Sequence, residues 1–210
     1  MRVSGFVNRY QKTLQSLNCD GRYGVALVAL CLLLVLPTAG GEAWRLALRY
    51  QRGGLLQGEW WRWLTAHFVH LDLNHALLNA TGFVLLWALF ARELNVGRWV
   101  VVCAVSLLCI DLGFWFLQPQ LEWYVGASGL LHGLMAAGAI AMLRRGEWLG
   151  WAALVPFAAK IGWEQLQGPL PFETGAVVVV SAHLYGAAGG ALTALVWPRP
   201  QQTPPRDEPL

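Results

Sequence analysis

An all-α, polytopic membrane protein with a bundle of six transmembrane helices is the fold class this sequence predicts, and three observations carry it. The 210-residue chain is 56% apolar and only 13% charged, about half the charged share of soluble domains. Several uncharged apolar runs approach the ~20 residues a helix needs to cross a bilayer. No internal repeat or soluble domain interrupts them, so residues 23–197 read as one membrane domain. It is preceded by a cytoplasmic segment, 1–22, and followed by a Pro-rich polar cytoplasmic tail, 198–210, expected to be disordered.

The spans follow in order. The first, "YGVALVALCLLLVLPTAG", comes after a basic stretch and so resembles a signal peptide, but no small-x-small cleavage site is evident and further spans follow. It is expected to be a retained helix. The second is "NHALLNATGFVLLWALFA", the third "WVVVCAVSLLCIDLGFWFL" and the fourth "GASGLLHGLMAAGAIAML". The fifth, "WLGWAALVPFAAKIGW", is short and holds Pro156 and Lys160, so it is expected to be tilted, kinked or partly interfacial. The sixth is "AVVVVSAHLYGAAGGALTALVW". The loop "EQLQGPLPFETG" between the last two is a candidate cap over a site or a passive connector.

Charge orients the bundle. With both termini cytoplasmic, the inner side collects Arg2, Arg9, Lys12, Arg22, Arg92, Arg98, Arg144, Arg145, Arg199 and Arg206. The outer side keeps Arg45, Arg49, Arg52, Arg62 and Lys160, four of them in one long first loop. This bias predicts both termini inside, with the outer ends of the helices facing the other compartment. The net charge of +3 is modest and speaks to orientation rather than to nucleic acid. Cysteines 19, 31, 103 and 109 have no metal-binding spacing, and three lie in apolar runs, so inert thiols are expected rather than disulfides. No metal or cofactor is expected.

Polar groups inside spans are costly and point to function. In "GASG", Gly126 and Gly129 flank Ser128 and leave room for a substrate backbone. If the fourth helix begins here, the Ser128 amide is an unpaired helix N-terminal donor, suited to a developing oxyanion. Gly129 and Gly133 also form a GxxxG, so a packing seam explains the same residues. In the sixth span His183 precedes a second GxxxG, Gly186 and Gly190, and close approach of two small-faced helices would bring His183 to Ser128. A helix-to-helix hydrogen bond is the alternative for that histidine. His75 and Asn79, four apart on the second helix, share a face and both donate hydrogen bonds. His67, His70, Trp60, Trp61 and Trp63 precede that helix, where the tryptophans read as a headgroup belt. Asp111, in the third span, reads as a helix-to-helix partner or as a contact for a basic substrate tail.

Together these elements resemble the rhomboid family of intramembrane serine proteases. The pattern is His75 with Asn79, "GASG" at 126–129 and "AHLYGAAGG" from Ala182 to Gly190, with Trp61-Arg62 similar to the family's WR element. The resemblance covers roughly residues 23–197 and implies a six-helix rhomboid-like domain. It implies Ser128 as nucleophile and His183 as general base, with no acid as a third member. The oxyanion would be held by the Ser128 N–H, His75 and Asn79, with Gly126, Gly129 and His132 in support.

One departure is His132, four residues after Ser128, where many rhomboids carry an aromatic residue that stacks on the catalytic histidine. Lying about 40° around the helix from Ser128, it is expected to stack on His183, with proton transfer or packing as alternatives. His132 and the short chain resemble the rhombosortase branch. That resemblance implies membrane-anchored substrates with a Gly-Gly, apolar helix, basic-tail sorting signal. It also implies an acyl-enzyme that passes to water or to a phospholipid headgroup amine, in a bacterial inner membrane with the site opening toward the periplasm. An ordinary rhomboid hydrolysing single-span proteins is the nearest alternative. A non-catalytic metal or haem-handling protein using His67, His70, His75, His132 and His183 is an alternative of another class, and a catalytically dead rhomboid is a further one.

Overall fold

Glycine and alanine faces decide how the helices of this protein cross, and the crossing positions the site. The computed structural model describes residues 24–170 and 178–197. The expected terminal segments, 1–22 and 198–210, and most of the expected loop after Leu170 lie outside the described residues.

Helix α1 (Gly24–Val35) runs into a 3-10 turn, Leu36–Gly40, with Pro37 near its start where a missing N–H costs nothing, and then into α2 (Gly41–Leu48). The first loop follows with strand β1 (Tyr50–Gln51), α3 (Arg52–Leu56) and α4 (Arg62–Thr65). Asp72 opens α5 (Leu73–Phe90) by accepting from the His75 amide at 2.8 Å. Asn95 opens α6 (Val96–Leu112) in the same way, accepting from the Arg98 amide at 2.9 Å. A π-helical turn, Gly113–Leu117, and strand β2 (Trp123–Tyr124) lead to α7 (Ser128–Arg144), α8 (Leu149–Gln167) and α9 (Val180–Val196).

Among the described residues, three helices are long and apolar enough to cross a membrane: Gly24–Leu48 with 25 residues, Leu73–Phe90 with 18 and Val96–Leu117 with 22. The apolar α7 and α9 have 17 residues each, about 26 Å of rise. Helix α8 has 19 and carries Lys160 and Glu164. Of the six crossings expected, length and composition thus support three. The shorter helices hold the buried centre. From Gly129 to Ala141, α7 is almost wholly buried, packed against α5, α6, α8 and α9.

The first loop is structured, and Arg45, Arg52 and Arg62 are spent on backbone carbonyls while Arg49 bonds the Gln51 side chain. Arg62 is 7% exposed, pairs with Glu59 at 2.5 Å and donates to the carbonyls of Leu46 and Arg49 at 2.8 and 2.9 Å. Arg52 donates to the carbonyls of Phe114 and Trp115, which the π-helical turn leaves unpaired by an ordinary helix ladder. Strands β1 and β2 pair antiparallel, Tyr50 with Tyr124, and tie this loop to the segment entering α7. Trp60 and Trp61 are exposed, as a headgroup belt requires, whereas Trp63 packs at 5.7 Å from Tyr50 and 5.4 Å from Trp115. Trp63 departs from the belt reading because Tyr50 and Trp115 offer it an aromatic cluster. Cys31, Cys103 and Cys109 are free thiols.

Helix α8 ends later than its apolar run. The chain stays helical from Trp163 through Glu164 to Gln167 and stops at Gly168, whose φ of +85° only glycine adopts readily. Glu164 therefore belongs to the helix and not to the loop in which the sequence pattern put it.

Candidate active site

Close backbone contact builds the site. A Cβ on Gly186 or Gly190 would run into the carbonyls of Gly129 and Gly133, and one on Gly129 would stand 2.8 Å from the Ala182 carbonyl. With both GxxxG faces bare, α7 and α9 meet backbone to backbone. Their N-terminal turns then hold Ser128 and His183 together, with Ser128 Oγ 3.0 Å from His183 Nε2. His183 is 3% exposed while Ser128 stays partly open.

Ser128 is the first residue of α7, so its amide has no intrahelical carbonyl to bond. Ahead of it, Gly126 has φ +121°, and a Cβ there would lie 3.0 Å from His75 Cε1. The Tyr124 hydroxyl donates to the Gly126 carbonyl at 2.6 Å and the Gly126 amide to the Ala66 carbonyl at 2.9 Å, which holds this turn in place. His75 therefore lies on the turn that presents Ser128. Asn79, 4% exposed, donates its amide to the His75 carbonyl at 3.0 Å. Around His75 the structure packs His70 edge-on at 5.0 Å. Burial, reinforced by His75, pushes the His70 imidazole down to about 4, so it is neutral at physiological pH. His67 bonds Asp111 at 3.2 Å, which joins the first loop to α6 and gives Asp111 its partner.

The rings of His132 and His183 are stacked, with centroids 4.0 Å apart and planes within 9°. His132 Nδ1 lies 2.7 Å from the Ser128 carbonyl, which only accepts, so this nitrogen carries the proton. Its Nε2 lone pair faces the Lys160 ammonium at 3.0 Å. Both nitrogens of His132 are thus engaged away from the Ser128 hydroxyl.

Sequence reasoning misses two residues of the site: Lys160 reads there only as a charge in a marginal span and Glu164 only as part of a loop. The Glu164 carboxylate is 1% exposed, and His183 Nδ1 lies 3.0 Å from each of its oxygens. Lys160 Nζ bonds Glu164 Oε1 at 2.5 Å. It also lies 3.5 Å from His183 Nδ1, but two donors face each other there and no bond forms. The available signal was an i, i+4 Lys–Glu pair on a helix that is otherwise apolar. The five histidines do not converge on one point. Among the described residues, His132, Glu164 and His183 are the group with metal-ligand spacing, and the Lys160 ammonium sits in its midst.

Fold and site together define a helical membrane protein with a partly buried serine–histidine pair. The Rhomboid domain model matches residues 57–200, well over half of the chain, and the chain belongs to the rhomboid family. It is 27% identical over 167 residues to YdcA of Bacillus subtilis (strain 168), a protein assigned by name to the rhomboid proteases, covering 80% of this chain and 82% of that one. It is 25% identical over 119 residues to the rhomboid protease GlpG of Enterobacter sp. (strain 638), covering 55% of this chain and 42% of GlpG. A GlpG from Klebsiella pneumoniae (strain 342) is 25% identical over 115 residues, 54% of this chain and 40% of that protein. The matched region spans less than half of the GlpG relatives.

Proposed function

We propose that this chain is an intramembrane serine endopeptidase in which Ser128 is the nucleophile and His183 the general base. The observation that carries this reading is the 3.0 Å approach of Ser128 Oγ to His183 Nε2 in a partly open, low-dielectric site. His183 accepts the hydroxyl proton as Oγ bonds to the scissile carbonyl carbon, then returns it to the leaving amine as the C–N bond breaks. The oxyanion is assigned to the Ser128 amide, which heads α7, and to the side chains of His75, which lies against the Gly126 turn, and of Asn79, one turn further along α5. Asn79 would exchange its bond to the His75 carbonyl for one to substrate, and this suits a donor used only in the transition state.

The domain is proposed to be a six-helix bundle in which α7, α8 and α9 also cross, in a bacterial inner membrane. Both termini would be cytoplasmic and the site periplasmic. The excess of Lys and Arg on the inner side supports this orientation. So does the placement of Ser128, His183 and His75 near the N-terminal ends of α7, α9 and α5.

For the substrate, we propose exported proteins with a C-terminal Gly-Gly, apolar helix and basic sorting tail, as in rhombosortases. His132 after Ser128 supports this branch, and the acyl group passes to water or to a headgroup amine. The similarity to YdcA and GlpG favours a second reading, hydrolysis of ordinary single-span proteins. One experiment separates them: the wild-type protein and Ser128→Ala in a bilayer, each with a Gly-Gly-tailed reporter and with a single-span reporter lacking that tail. Processing of the tailed reporter alone, abolished in Ser128→Ala, supports the sorting reading, and product mass then tells a free carboxylate from a lipid adduct. Equal processing of both reporters supports the ordinary protease. Processing that survives Ser128→Ala removes the serine protease reading altogether.

A further inference from the structure

The serine–histidine pair of this protein has a third partner that its sequence motifs did not announce. The Glu164 carboxylate is reached by His183 Nδ1 at 3.0 Å from both oxygens, on the opposite side of the ring from Ser128. A carboxylate only accepts, so Nδ1 carries the imidazole proton and Nε2 is left with its lone pair toward the Ser128 hydroxyl. No other tautomer satisfies both neighbours. A bare carboxylate with 1% exposure would be costly in a membrane helix. Lys160, one turn earlier on the same face of α8, supplies the counter-charge at 2.5 Å.

The hydrogen-bond circuit closes. Ser128 donates to His183, and His183 to Glu164. Lys160 donates to Glu164 and His132, and His132 donates back to the Ser128 carbonyl. Each polar group has a partner of the right sign, which a chance juxtaposition of four ionisable side chains would not produce.

We propose that Glu164 is a positioning residue that holds His183 in its productive tautomer and orientation, so that this protein works with a Ser128–His183–Glu164 triad, and that Lys160 keeps the Glu164 carboxylate ionised. When His183 takes the serine proton the resulting imidazolium lies between the nascent Ser128–acyl bond and Glu164, whose charge stabilises it. Glu164 itself takes no proton. The charged and titratable groups facing His183 are Ser128 and His132 from α7, Lys160 and Glu164 from α8, and His75 from α5. Among these, the carboxylate alone carries negative charge. Because Glu164 and Lys160 both come from α8, the triad is complete only with that helix seated against α7 and α9.

This rests on the reading of Ser128 as nucleophile, and the test keeps the two apart. The probe is a fluorophosphonate. Ser128 Oγ bonds to phosphorus, fluoride leaves with the P–F electron pair, and His183 takes the hydroxyl proton. The full chain in a bilayer is labelled as wild type, Ser128→Ala, Glu164→Gln and Glu164→Asp, with the maximal labelling rate and the half-saturating probe concentration measured separately and melting followed in parallel. Glu164→Gln is expected to slow the maximal rate ~100-fold or more with half-saturation unchanged, while the melting temperature falls because Lys160 loses its counter-charge; rates are therefore compared below the melting temperature of every variant. Glu164→Asp, which restores the charge one methylene short, is expected to recover part of that loss. A maximal rate in Glu164→Gln within threefold of wild type overturns the triad while leaving the nucleophile intact. A loss of rate that disappears when folded protein is compared below every melting temperature, or that is matched by an equal loss of half-saturating binding, assigns Glu164 to helix packing and also overturns it. Labelling that persists in Ser128→Ala instead overturns the nucleophile reading on which the triad depends.

Discussion

Gly186 of α9 stands directly against the carbonyl of Gly129 on α7, with no space for a methyl group between them. The separation of Ser128 from His183 is a consequence of that contact, since each lies within one turn of it. Replacing Gly186 by Ala therefore acts on the site without touching it. The helices must part, at ~1–3 kcal/mol of overpacking, and fluorophosphonate labelling of Ser128 should fall with the melting temperature. Gly162→Ala on α8, where a Cβ meets nothing within 4 Å, is the control and should leave melting unchanged or slightly raised.

The proposed oxyanion donors make a second prediction. His75→Ala and Asn79→Ala should each lower kcat by ~10²–10³-fold, about 2.7–4 kcal/mol, with KM little altered. Turnover of a processed reporter checks this. If KM rises instead while kcat holds, the two side chains bind the substrate ground state and not the transition state.

His132 stacks on His183 with both ring nitrogens bonded elsewhere. His132→Tyr retains a ring over His183 and should keep activity within about tenfold, while His132→Ala loses the stack, worth ~0.5–1.5 kcal/mol, and leaves Lys160 short of one acceptor. A Tyr variant as inactive as Ser128→Ala would reassign proton transfer to His132.

Asp111 accepts from His67 at 3.2 Å, with His67 fully buried. Asp111→Asn keeps an acceptor at that position, so processing and expression should match wild type. Asp111→Ala strands the buried imidazole donor and should lose ~1–3 kcal/mol, read as a lower melting temperature with kcat of the surviving folded protein unchanged. Selective loss of cleavage for basic-tailed reporters in Asp111→Asn would restore the substrate-contact reading.

Much of the site was legible because its chemistry is written locally. A helix holds residues four apart on one face, so His75 and Asn79 could be paired from spacing alone. Small residues at i and i+4 announce where two helices will touch, so the seam between α7 and α9 could be read on each helix separately. The membrane character followed from composition, which acts over whole segments. The structure of the first loop was less legible. Arg45, Arg49, Arg52 and Arg62 read as charges on the outer side of a bilayer, whereas Arg45, Arg52 and Arg62 bond backbone carbonyls and Arg49 the Gln51 side chain, those of Arg52 lying on the π-helical turn.

Sequence alone carried a helical membrane chain, the Gly-flanked Ser128 and the placement of His75 and Asn79 on one helix face. These rest on local periodicity and on backbone permissions that only glycine grants. Tertiary structure alone decided which side of His183 meets a carboxylate. Glu164 lies beyond the apolar run, and whether the chain there stays helical depends on packing against α7 and α9 and on the stop at Gly168, not on propensity in a short window. Glu164 and His183 are 19 positions apart, and no local rule relates them. Only when α8 lies beside α9 do Lys160, Glu164 and His183 share one buried volume, where unpaired charge is too costly to stand and each group must find its partner.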